Sequence, residues 1–283
     1  MIIVNNLSFN YKGSKINAIE DINFEIGKGE IFGFLGPSGA GKTTTQKLLI
    51  GLLKNYNGEI NILNKERKDW DSNFYEKIGV AFEFPNMYLK LTAKENLTLI
   101  QSYYQNTQGD IDYYLEKVGL LKDKNRKVSE FSKGMKMRLN FVRSILHNPD
   151  LLFLDEPTSG LDPVNGKIVK NMILDLKNKN KTIFLTTHDM NVAQELCDRI
   201  ALIDNGEIIV IDTPKNLMIN HGEPEVKIEY LKENNLISNK FSLNKLHANQ
   251  EFMKVINSYE IKTMHSEEAT LEDVFIKLTG RKL

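Results

Sequence analysis

The sequence predicts an α/β chain with an antiparallel β segment at its start, an inserted helical region and a small α+β extension at its end. Three observations predict it. Strand-sized apolar runs at Ile31–Leu35, Leu151–Leu154 and Thr182–Leu185 each lead into a helical pattern. Near the start, Leu7, Phe9 and Tyr11 alternate with polar residues, as do Ile22, Phe24 and Ile26. From about Phe84 to Asn148 the pattern is helical throughout.

Taken in order, the alternating strands give way to the apolar strand at 31–35. A glycine-rich loop over Gly36–Gly41 and a helix over Lys42–Leu53 follow. Asn57-Gly58 reads as a turn into a further strand. In the helical region, Thr92-Ala-Lys-Glu95 is a capping box opening a helix over Asn96–Gln105. Asp110 caps the next helix and Gly119 ends it. Ser132 precedes an amphipathic run that Pro149 stops. Beyond strand 151–154, Asp162 and Pro163 suit the N-cap and first turn of a helix. After strand 182–185 comes a helix around Val192–Cys197, then a hairpin whose Asn205-Gly206 turn carries a type I′ signal. From about Asn220 the chain turns Asn- and Lys-rich with weaker periodicity, ending in an amphipathic helix over Thr270–Leu278. The expected domains are therefore 1–220, with a helical subdomain at about 84–148, and a small accessory domain at 221–283.

Composition limits the function classes. Of 283 residues 41% are apolar and 26% charged, which is ordinary globular material. Lys+Arg and Asp+Glu both total 37, so there is no basic footprint of a dedicated nucleic-acid binder. The single cysteine, Cys197, has no partner to oxidise and reads as a core thiol. The N-terminus lacks the pattern of a signal peptide. No apolar run approaches the roughly 18 residues needed to span a bilayer. A cytoplasmic protein is expected, with any membrane role exercised through a partner.

The chemistry enters at Gly36-Pro37-Ser38-Gly39-Ala40-Gly41-Lys42-Thr43, which fits G-x-x-x-x-G-K-[ST] and is followed by Thr44. A loop that wraps phosphates needs inward-pointing N–H groups, and glycine permits that curvature and close approach. The helix starting at Lys42 adds its positive end. Lys42 supplies a mobile charge for the β- and γ-phosphates, and the Thr43 hydroxyl is placed to ligate Mg²⁺. This is the mark of a P-loop NTPase with a RecA-like core. Strand 151–154 ends in Asp155-Glu156: the first carboxylate organises the metal, and the second reaches a water attacking the γ-phosphate. Guanine reading is excluded, because Asn64-Lys65-Glu66 is followed by Arg67 and lacks the required carboxylate.

Further stretches resemble those of the ABC family of ATP-binding cassettes. Phe131-Ser132-Lys133-Gly134-Met135 resembles the signature motif, and Ser159-Gly-Leu-Asp162 the D-loop. His188 falls at the switch histidine, Glu83 at the Q-loop glutamine, and Tyr11 at the aromatic that stacks on adenine, with Phe9 an alternative stacker. The resemblance covers about Met1–Asn220. It implies an ATPase whose two cassettes close head-to-tail over two ATP molecules. Ser132, Lys133, Gly134, Met135 and Asp162 would complete the site of the opposite cassette; for Ser132 a plain helix cap remains compatible. His188 would contact the γ-phosphate beside Glu156, and Glu83 would join Thr43 and Asp155 at Mg²⁺. Two departures stand out. Glu83 adds a negative charge, and Lys133 and Met135 replace Gly and Gln.

That Ser-Lys-Gly-Met variant resembles the ATPases of ABC-2-type exporters of drugs and peptide antibiotics. So does the tail from Thr270 to Arg281. The implied partners are a separate integral-membrane subunit and a second ATP-binding subunit, identical or different, with the chain peripheral on the inner membrane face. Phe82, Phe84, Pro85, Met87 and Tyr88 form either the groove for the membrane partner or core of the helical region. The alternative function is a soluble ABC ATPase acting on ribosomes or nucleic acid. It is disfavoured by neutral charge and by the lack of a tandem cassette or long coiled-coil insertion.

Overall fold

The computed structural model describes residues 1–105 and 109–280 and divides into two compact units, Met1–Ile211 and Asp212–Leu283. In the first, β1 (Ile2–Phe9) pairs antiparallel with β2 (Ile19–Ile26) because their apolar residues alternate and share one buried face. β3 (Ile31–Leu35) is buried at every residue and leads through the glycine-rich loop into α1 (Lys42–Leu49). Then come β4 (Asn57–Ile62), β5 (Lys65–Glu66), α2 (Asn73–Lys77) and β6 (Ile78–Ala81). The helical insert holds α3 (Ala93–Gln101), α4 (Ile111–Lys117) and α5 (Lys133–Ile145). The α/β alternation resumes with β7 (Leu151–Asp155), α6 (Pro163–Asn178), β8 (Thr182–Thr187), α7 (Met190–Leu196), β9 (Arg199–Asp204) and β10 (Glu207–Asp212).

These strands make a four-stranded sheet, order β2-β1-β4-β5, and a six-stranded sheet, order β10-β9-β3-β8-β7-β6. From β9 to β6 the second sheet is parallel. Its central strands, covered on both faces, read as continuous apolar runs rather than alternating ones. Phe24 of the first sheet stacks on Phe32 at 5.5 Å, and Phe34, Phe153 and Phe184 extend the aromatic layer between the sheets. The insert has a separate core of Leu97, Leu115, Val118, Phe131, Leu139 and Val142.

The second unit contains α8 (Pro214–His221), β11 (Glu225–Lys232), β12 (Asn235–Ser242), α9 (Gln250–Ser258), β13 (Glu260–Glu267) and α10 (Leu271–Thr279). Its antiparallel sheet, order β12-β11-β13, buries Val226, Ile228 and Tyr230 with Phe252 and Val255 of α9.

Several boundaries differ from the sequence reading. Tyr11 lies beyond β1, since the Ala18 N–H closes the ladder on the Phe9 carbonyl. α1 stops at Leu49 instead of Leu53, because Gly51 turns left-handed and the Leu52 and Leu53 N–H groups both fold back on Lys47 O. The Thr92 box starts α3 at Ala93, and the helix ends at Gln101. Cys197 is buried at the C-cap of α7 rather than within it. The last helix runs to Thr279 and ends on left-handed Gly280; Arg281 of the tail motif lies outside the described residues.

Candidate nucleotide site

The glycine-rich loop takes the shape its sequence requires. Gly39 and Gly41 have φ of 84° and 109°, values that exact strain from any side chain. Gly36 passes so close to β9 that a Cβ there would sit 2.1 Å from the Ile203 carbonyl oxygen. α1 then begins with no side-chain cap, which leaves its first N–H groups open to an anion. The Lys42 ammonium donates to Gly36 O at 2.6 Å and Pro37 O at 3.0 Å. Burial pulls its pKa down, against the opposing pull of Glu156, Asp155 and Glu83.

The acidic pair comes to this loop through strand register. In the parallel sheet β8 lies between β3 and β7, and Asp155 pairs with Thr186. The Thr186 hydroxyl donates to Asp155 Oδ1, and the Thr43 hydroxyl approaches Oδ2 at 3.4 Å. Burial holds the Asp155 carboxyl above the usual carboxylate range, partly offset by the Thr186 bond. Glu156, one residue on, adopts left-handed φ of 49°. This turns its side chain into a set of donors from the end of β8. Oε2 accepts the Thr187 hydroxyl at 3.0 Å; Oε1 accepts the His188 N–H at 2.8 Å and lies 2.7 Å from His188 Nδ1.

Together these groups enclose a cavity of about 280 Å³ lined by Ser38, Gly39, Gly41, Lys42, Thr43, Thr44, Glu83, Asp155, Glu156 and His188. Gly36, Pro37 and Ala40 shape the loop behind it. Tyr11 stands at its edge with its hydroxyl 3.1 Å from Thr44 Oγ1 and its ring edge-on to Phe9. Phe9 itself is 8% exposed against 42% for Tyr11, so the accessible aromatic face is that of Tyr11. No group of three or more His, Cys, Asp or Glu among the described residues is arranged to hold a metal ion. Thr43, Asp155 and Glu83 instead offer a partial set of hard oxygens, the kind that holds a small divalent cation jointly with phosphate oxygens.

The signature residues lie outside this cavity. Ser132 caps α5 by accepting the Met135 N–H at 3.2 Å. Lys133 stretches over Gly160, and Gly134 faces Leu161. Asp162 caps α6 through Val164 and Asn165, and the Asn165 amide holds its carboxyl below the usual range. Within one chain, then, signature and D-loop form one surface and the phosphate site another. α5 also reaches the Glu83 loop: buried Asn140 donates to Phe82 O at 2.8 Å, and Arg143 to Asn86 O at 2.8 Å. The aromatic cluster there divides. Phe82 and Met87 pack against the two cores, while Phe84 and Tyr88 are 71% and 51% exposed. Thr186 and Thr187 are the residues that sequence reading missed. Their only signal was two hydroxyls ahead of His188 on a strand neighbouring the acidic one.

Fold and site define an ATP-binding, ATP-hydrolysing P-loop cassette. Residues 19–159 match the ABC transporter family model, and residues 225–268 match the fluoroquinolone efflux ABC transporter C-terminal domain. The chain is 47% identical over 284 residues to a fluoroquinolones export ATP-binding protein of Mycobacterium tuberculosis, covering 100% of this chain and 94% of the relative. To the bacitracin transport ATP-binding protein of Bacillus licheniformis it is 32% identical, covering 93% and 92%. A solved dimeric ATP-binding cassette, in a post-hydrolysis state with ADP and Pi, superposes with a TM-score of 0.69 at 29% identity. That match covers 75% of this chain and 98% of the other. The chain belongs to the ABC transporter family, as an ATP-binding subunit with ATPase activity. No helix among its described residues is long and apolar enough to cross a membrane.

Proposed function

We propose that this chain is the ATPase of an ABC exporter, closing head-to-tail with a second ATP-binding subunit, identical or different, to drive a separate integral-membrane subunit. The observation that carries this reading is the convergence of Lys42, Thr43, Asp155, Glu156 and His188 on one cavity while Ser132 and Gly134 lie outside it. Half of an ATP cage is thus offered by one surface and the other half by another. Full-length similarity to subunits named for export supports the direction of transport.

Residues 36–44 bind the phosphates of ATP, with Tyr11 against the adenine. Thr43, Asp155 and Glu83 would hold Mg²⁺ together with the phosphates, and the ion would supply positive charge to offset the negative charge on the phosphoryl group. Glu156 takes a proton from the attacking water, and His188 leaves Glu156 to meet the γ-phosphate. Ser132, Lys133, Gly134 and Met135 act in trans, the Ser132-capped N-terminus of α5 facing the opposite γ-phosphate, with Asp162 beside them. The nucleotide-binding domain is the unit Met1–Ile211, a little shorter than the 1–220 the sequence suggests, and Asp212–Leu283 is an accessory domain. The chain works at the cytoplasmic face of the membrane, held there by its partner. Its cargo is a peptide, antibiotic or lipid-like molecule, with a fluoroquinolone-type antibiotic favoured by the 47% identical relative.

Affinity purification of the tagged chain from detergent-solubilised membranes tests the reading. An integral-membrane protein should co-purify in stoichiometric amount. Recovery wholly in the soluble fraction with RNA or ribosomes would overturn it.

A further inference from the structure

Among the described residues, the hydrogen bonds to the Glu156 carboxylate come from one short segment, Thr187-His188. These donors are not equivalent. The Thr187 side chain and the His188 backbone N–H belong to the buried end of β8, where Thr187 is fully buried. The His188 ring is its opposite, with 61% of its side chain exposed. Thr187 is fixed further because its Oγ1 accepts the Asp189 N–H at 3.0 Å, at the N-cap of α7. Its single proton is thereby aimed at Glu156 Oε2. The two carboxylate oxygens thus have different fates when the exposed ring turns away. Oε2 keeps its Thr187 hydroxyl donor, whereas Oε1 keeps the His188 backbone N–H but gives up the imidazole, which frees a lone pair toward the cavity.

We propose that Thr187 is a positioning residue for ATP hydrolysis: its hydroxyl pins Oε2 of Glu156 so that Oε1 is the oxygen turned to the attacking water. This rests on the reading of Glu156 as general base. A glutamate at left-handed φ of 49°, with three side-chain torsions of its own, sweeps a wide arc unless something holds its head. A carboxylate misplaced by about 1 Å loses on the order of a hundredfold in rate. Thr187 supplies the hold from a strand residue, where placement is most exact. Thr186 holds Asp155 by the same kind of bond from the neighbouring position. The end of β8 is therefore a two-hydroxyl clamp, one hydroxyl per carboxylate.

The test is steady-state hydrolysis of Mg–ATP by the purified full chain and its variants. Thr187→Val keeps the shape and removes the hydroxyl; kcat should fall about 10- to 100-fold with KM for ATP within threefold, as expected for a lost charge-assisted bond acting on one step. Thr187→Ser, which keeps the hydroxyl, should recover kcat to within about threefold of the parent. In a Glu156→Gln background, adding Thr187→Val should cost nothing further, since the oxygen it serves is no longer a base. Parent-like kcat in Thr187→Val overturns the proposal. So does a loss that Thr187→Ser fails to recover, or one that persists in full in the Glu156→Gln background, because each marks a purely structural role. Turnover retained in Glu156→Gln alone would instead remove the general base on which the proposal stands.

Discussion

Replacing Glu156 by Gln removes one charge at nearly constant volume, and the structure fixes what each consequence should be. The His188 N–H at 2.8 Å can still be accepted by the amide oxygen. The new NH₂ group then meets Thr187 Oγ1, at 3.0 Å, which can accept in place of donating. The fold loses only charge assistance, about 1 kcal/mol, or roughly 2–4 °C in Tm for a unit of this size. Catalysis loses its proton acceptor, worth on the order of 10²–10⁴-fold. At about 1.36 kcal/mol per decade this is roughly 2.7–5.4 kcal/mol of barrier. Phosphate release at saturating Mg–ATP should accordingly drop at least about 100-fold, while ATP affinity measured by equilibrium titration stays within about threefold. An ATP-dependent dimer should accumulate on gel filtration. Turnover within threefold of the parent, in a folded variant, refutes the assignment of Glu156 as general base.

Two further outcomes follow from the same cavity. Lys42→Ala deletes the cation that three carboxylates surround, and ATP affinity by calorimetric titration should weaken by at least about 100-fold, the loss of two charge-assisted bonds. Asp155→Asn should abolish hydrolysis yet raise Tm near neutral pH. The Asp155 carboxyl is held above its unfolded pKa by burial, so its ionisation disfavours the folded state as pH rises through the folded value. The gain in Tm should therefore be larger at pH 7.5 than at pH 4.5, and should vanish at about pH 2.5, below the unfolded carboxylate range; scanning calorimetry at these three pH values reads it.

The parts of the site legible in the sequence are those built by neighbours in the chain. Gly36 to Thr44 form a continuous loop and helix start, and Ser132, Thr92 and Asp162 cap helices within three residues of themselves. The clamp on the acidic pair was not legible, because Thr186 and Thr187 are ordinary β-branched strand formers until the β7–β8 register sets them opposite Asp155 and beside Glu156. The same holds for Tyr11. Its alternation with Phe9 continues the β pattern, but the ladder ends where Ala18 closes on Phe9. In the second unit, Val226, Ile228 and Tyr230 alternate plainly enough. β12 hides its strand character behind Asn239 and Lys240, polar residues that an edge strand tolerates.

The hydrogen bonds from Asn140 and Arg143 to the 82–86 segment give α5 a role beyond presenting Ser132. A helix of 13 residues is about 20 Å of nearly rigid rod. Its N-cap is the signature serine, and Asn140 and Arg143 in its C-terminal half grip the chain on either side of Glu83. Such a rod can serve as a connecting link: a ligand held at Ser132 and one held at the Glu83 loop, if coupled through it, would each change the other's affinity by the same factor. Two side-chain ties thus make the distance between the phosphate cavity and the signature surface mechanically short.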